Sequence, residues 1–73
     1  MIRRLTAIIH AEDDGFVSLC PELDIASQGA TIEEARSNLQ EALELFFECA
    51  PESEVERRLN DDVFVTQVEI NVG

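Results

Sequence analysis

The side chains able to do chemistry are few and scattered. One histidine, His10, stands with no second histidine at metal-pair spacing and no HExxH frame around it, so it reads as an ordinary strand-end residue. The two cysteines, Cys20 and Cys49, have no CxxC spacing, and together with His10 they fall one short of a four-ligand zinc site. They read as free thiols. With a single histidine, no Ser-His-Asp or Cys-His arrangement stands out from chance. The glycines Gly15, Gly29 and Gly73 are too dispersed for a phosphate-cradling loop. Carboxylates are plentiful, and the run Glu12-Asp13-Asp14 or the pair Asp61-Asp62 could in principle chelate Mg²⁺ or Ca²⁺. Consecutive acids beside a turn are first of all a solvated loop, and both groups are read that way. Arg57 and Arg58 read as a helix-end charge pair, the alternative being contact with a partner's carboxylates. These residues point to no enzyme, no cofactor and no metal site.

Charge is the stronger signal. Sixteen Asp and Glu against five basic residues, all arginine, give a formal net charge of −11. A field of that sign repels phosphate backbones, which disfavours direct nucleic-acid binding by the isolated chain and favours a basic protein partner. The simpler alternative is that acidity keeps a small protein soluble. The 73 residues make one domain, 1–73. A domain this small buries only about 60% of its unfolded surface, so self-association or a partner is expected to support it. No apolar run approaches the roughly 20 residues of a membrane span, and the short apolar stretch after Arg3-Arg4 makes no signal peptide, so a cytoplasmic location is expected.

Periodicity supplies the elements that must position these groups. From Ile2 to His10, Leu5, Ala7 and Ile9 alternate with Arg4, Thr6, Ile8 and His10, which predicts a half-buried strand. The turn Glu12-Asp13-Asp14-Gly15 follows, with Asp-Gly suited to a left-handed backbone, and Phe16 to Cys20 returns as the second strand until Pro21 interrupts the pairing. Ile25 to Gln28 forms a short third strand closed by Gly29, completing a three-stranded antiparallel meander. Thr31-Ile32-Glu33-Glu34 is a capping box opening a long helix, whose face comprises Ala35, Leu39, Ala42, Leu43, Phe46 and Ala50, broadened by Leu45 and Phe47. Pro51 ends it. Glu52 to Arg58 forms a short helix or loop, broken by Asn60-Asp61-Asp62, and Val63 to Val72 alternates as a C-terminal strand. The fold class is α+β: one sheet with one long helix across one face. Ile8, Val17, Leu19, Val63 and Val65 leave the second face partly apolar, which suggests a second subunit or partner there.

Several ordered segments together resemble a known family. Glu12-Asp13-Asp14-Gly15-Phe16, Cys20-Pro21-Glu22-Leu23, Ser27-Gln28-Gly29-Ala30-Thr31-Ile32-Glu33-Glu34-Ala35 and Asn38-Leu39-Gln40-Glu41-Ala42-Leu43-Glu44-Leu45 closely resemble the HicB-like antitoxins. That family shows an acidic-Gly-aromatic turn, a C-P-E-L strand end, a Q-G-x-T-x-E-E-A helix start and an N-L-x-E-A-L helix body. The resemblance implies a partial ribonuclease-H-like domain without catalytic carboxylates, which neutralises HicA, a small basic toxin that cleaves messenger RNA, and which self-associates as a dimer or tetramer. Two departures stand out. Leu23 is followed by Asp24-Ile25-Ala26 rather than by P-G-C, and a strand rather than a DNA-binding helical segment follows the short helix, which puts operator binding in doubt.

The expected function is therefore a toxin-neutralising protein-binding module, with Glu22 and Asp24 as first contact candidates and Glu12, Asp13 and Asp14 behind them. The alternatives are a homo-oligomeric regulatory module acting on another protein, or a residual metal-dependent nuclease, for which the first strand lacks a central carboxylate.

Overall fold

The computed structural model describes residues 2–59 and 63–73. Strands β1 (Ile8–Glu12), β2 (Gly15–Cys20) and β3 (Ile25–Gly29) are followed by helices α1 (Ile32–Cys49) and α2 (Glu52–Leu59). The strands form one antiparallel meander in the order β1-β2-β3, as the turn and alternation signals require. In the first hairpin Glu12 pairs with Gly15 and Ile8 with Leu19; in the second Phe16 pairs with Gly29 and Cys20 with Ile25.

This register sorts the faces, because residues directly opposite on antiparallel strands share one. Phe16, Ser18, Cys20, Ile25 and Ser27 face α1, whereas Ile8, Val17, Leu19 and Ala26 lie on the other side. The core is small: Cys20, Leu23, Ala35 and Leu39 are buried, with Leu5, Ile25, Leu43, Phe46, Phe47 and Leu59 packed around them. Phe46 and Phe47 meet edge to face at 5.5 Å. Leu45, expected on the helix's apolar stripe, faces solvent instead. Helix α1 lies chiefly over β3 and β2 and least over β1.

The helix ends follow their residues. The Thr31 hydroxyl accepts from the Glu34 amide at 3.0 Å, and the Glu34 carboxylate accepts from the Ala30 amide at 3.2 Å, one residue earlier than the usual reciprocal contact. At the other end Ala50 is extended and its amide still donates to the Phe46 carbonyl, after which Pro51 stops the ladder. The Pro51 carbonyl then accepts from Glu54 and Val55, opening α2.

Three expectations are corrected. The first strand begins at Ile8, not Ile2, because Pro21 closes β2 after Cys20 and leaves residues 2–7 without a ladder partner. The left-handed residue of the hairpin is Asp13, with φ 48°, rather than a glycine. Gly15 is needed for space, since a Cβ there would stand 2.7 Å from the Gly29 carbonyl oxygen. Finally, residues 63–73 form no strand, because no sheet edge of this chain lies alongside to supply hydrogen-bond partners, and their side chains are exposed. The alternating pattern is present without a ladder.

Gly29 makes the sharpest energetic statement in the fold. A Cβ at this position would sit 2.5 Å from the Ala35 nitrogen and 2.8 Å from the Glu34 carbonyl carbon, both backbone atoms that cannot swing aside. Gly29→Ala is expected to lower stability by about 1–3 kcal/mol, the usual cost of overpacking, as read from urea denaturation followed by circular dichroism. An unchanged midpoint would mean that α1 can shift off the sheet freely.

Candidate protein-binding surface

The five acidic candidates fall into two groups at opposite ends of β2. Glu12, Asp13 and Asp14 sit at the tip of the first hairpin, all exposed. Glu22 and Asp24 lie in the β2–β3 loop beyond Cys20. The length of β2 separates them by about 17 Å, at 3.3 Å per residue. The structure does not bring them into one patch.

Glu22 is engaged within the chain. Its two carboxylate oxygens accept from the Thr6 amide at 3.1 and 3.0 Å, and Oε2 accepts from the Thr6 hydroxyl at 2.7 Å. The Cys20 thiol donates to Oε1 at 3.5 Å. The carboxylate thereby stands in for the ladder partner that Pro21 denies to residues 2–7 and pins that segment against the β2–β3 loop. Partial burial pushes the Glu22 carboxyl upward, but the Thr6 hydroxyl, Glu22's own amide and the Thr6 amide outweigh it, so the pKa falls below the ordinary value. Burial pushes the neighbouring Cys20 thiol up; a backbone contact at Leu23 opposes this and the Glu22 carboxylate adds to it. Asp24 is exposed and left-handed, with φ 55°, which shapes the loop that replaces the family's P-G-C.

At the hairpin tip the register adds a residue the sequence reasoning missed. Glu12, Asp13 and Asp14 share a shallow depression with Glu34, which arrives from the first turn of α1 because Gly29 brings that helix against the sheet. The signal was available in the pairing of Phe16 with Gly29, which places the start of α1 beside the hairpin turn. His10 lies on this end of β1, with Nδ1 3.9 Å from Glu12.

The remaining candidates resolve locally. Arg57 and Arg58 both pair with Glu54, at 2.6 and 3.0 Å, as the helix-end reading predicts. Hydrogen bonds from the two arginines hold the Glu54 carboxyl below its ordinary value. Arg58 also donates to the Leu23 carbonyl at 2.7 Å and lies over the Phe46 ring, fastening α2 to the core. Cys20 and Cys49 are free thiols, the first buried and the second exposed. Asp61 and Asp62 lie outside the described residues. Among the described residues no three of His, Cys, Asp and Glu gather as metal ligands, and no helix is long and apolar enough to cross a membrane.

Comparison with known proteins gives a relative that matches about two thirds of this chain. UPF0150 protein ssl0738 of Synechocystis sp. (strain ATCC 27184 / PCC 6803 / Kazusa) is 48% identical over 50 residues, which cover 66% of this chain and 69% of that protein. The chain belongs to the UPF0150 family. No family model and no solved structure matches it. In this UPF0150 chain several residues of the segments noted in the sequence serve the fold: Cys20 and Leu23 fill the core, Glu22 holds Thr6, Gly29 admits the helix, and the Asn38 amide donates to the Gln28 carbonyl at 2.7 Å.

Glu22→Gln is expected to destabilise the fold at pH 7 by about 1–3 kcal/mol, since it replaces a charged acceptor of several hydrogen bonds. Because the folded pKa of Glu22 is lowered, its contribution is full above the ordinary carboxylate pKa and is lost as pH falls through the lower folded value. The gap between wild type and variant should therefore close on acidification. Denaturant titrations at neutral and strongly acidic pH check this, and a gap independent of pH would show that the carboxylate charge plays no part.

Proposed function

We propose that this UPF0150 chain acts as an antitoxin-like module, binding and neutralising a small basic HicA-type messenger-RNA-cleaving toxin by covering its RNA-binding face. The observation that carries the reading is the exposed acidic end formed by Glu12, Asp13, Asp14 and Glu34 on a chain of net charge −11. Such a surface competes with RNA for the same cationic side chains, and long-range attraction speeds its encounter with them. The resemblance of residues 12–45 to HicB-like antitoxins points the same way, as does the α+β sheet-and-helix architecture, which the partial ribonuclease-H-like description would accommodate. Two of the first contact candidates separate in this reading. Asp24 stays available, whereas Glu22 serves the fold, so Asp13 and Asp14 at the hairpin tip take the leading role.

Co-expression with a small basic HicA-type toxin provides the test. Relief of growth arrest and co-purification of the two proteins are expected. The double substitution Asp13→Lys/Asp14→Lys should slow association about tenfold at low salt and flatten its salt dependence. Absence of both co-purification and growth relief would refute the antitoxin role.

A further inference from the structure

The segment 63–73 and the open side of β1 are two unfinished halves of one structure. Phe64, Val68, Ile70 and Val72 share one side of the alternating segment and are 86%, 81%, 76% and 87% exposed. That exposure is large beside the four buried apolar residues among those described. The radius of gyration, 14.4 Å, exceeds the roughly 11 Å of a compact chain of this length, and the longest dimension is 49 Å. The segment stands off the body.

The body has a place of matching size and chemistry. β1 is an edge strand, and α1 leaves its side of the sheet least covered. Here residues 2–7 and α1 enclose a groove of about 890 Å³, walled by Leu5, Ala7, Leu39, Leu43 and Phe47. β1 supplies five residues of that edge, Ile8–Glu12, and residues 2–7 continue along the groove before it. Arg3, Arg4 and Arg36 line the groove against Glu44 and Glu48, so it is locally positive on a chain of net charge −11. A basic partner is disfavoured there, whereas 63–73 offers an uncharged apolar side, its one charged side chain, Glu69, lying on the other.

We propose that two copies of this chain exchange these segments. Residues 63–73 of each copy add as a strand along the β1 edge of the other, with Phe64, Val68, Ile70 and Val72 entering the groove and Glu69 on the side away from it. Edge pairing supplies the missing ladder and the groove supplies apolar burial, so each copy completes its partner's sheet. The expected C-terminal strand then exists, formed between chains. This assembly does not depend on the antitoxin reading, and it leaves the acidic hairpin tip free.

Light scattering and sedimentation on the full chain test the exchange. Wild type should be a dimer at micromolar concentration. Val68→Asp, in the exposed segment, and Ala7→Glu, at an exposed position on the groove wall, should each raise the dimer dissociation constant by about tenfold or more, with circular dichroism unchanged. Mixing the two variants should restore part of the association, because the Ala7→Glu chain lends an intact segment to the intact groove of the Val68→Asp chain. A monomeric wild type at about 1 mM, a dimer indifferent to either substitution, or a mixture no more associated than its components would each overturn the proposal.

Discussion

Everything else in this protein rests on the close seam between β3 and the start of α1. Gly29 leaves room for the Ala35 and Glu34 backbone to touch the sheet, and the buried Ser18 hydroxyl donates to the Ala35 carbonyl at 2.8 Å across the same seam. Asn38, one turn on, ties the helix to the Gln28 carbonyl. With the helix held there, Leu39 reaches Cys20 and Leu23, and a core of only a few buried side chains suffices. The same seam carries Glu34 to the hairpin tip, so one packing constraint sets both the stability of the domain and the shape of its acidic end.

The acidic residues divide their work. Glu22 and Glu54 are spent within the chain, one holding residues 2–7 through Thr6 and the other holding Arg57 and Arg58. Asp13 and Asp14 at the hairpin tip are exposed and project a negative field outward. A carboxylate is costly to bury and strong as an acceptor, so it serves either as a satisfied clamp or as a solvated charge. Net charge alone does not tell the two apart.

The sheet shows the same division between finished and unfinished parts. On the β3 side, helix packing covers the strand. On the β1 side, the edge and its groove remain open while an apolar segment of the same chain stands in solvent. A small domain limited in the surface it can bury alone gains most by burying such pieces against another copy. The acidic tip lies at one end of β2, so a function resting on it and an assembly resting on the β1 edge use separate parts of the surface.

Local signals in the sequence determined the meander, the capping box at Thr31, the stop at Pro51 and the short helix after it, because each is decided by neighbours a few residues apart. They also located the residues that resemble the HicB-like family, although the structure shows why those residues matter: Cys20, Glu22, Leu23, Gly29 and Asn38 build the fold. What depended on distant partners was decided only by the tertiary structure. The start of β1 waited on where Pro21 ends β2, and the role of Glu22 waited on Thr6, sixteen residues away. Residues 63–73 carry the alternation of a strand, but alternation describes side chains, and a strand exists only where another backbone meets its amides and carbonyls.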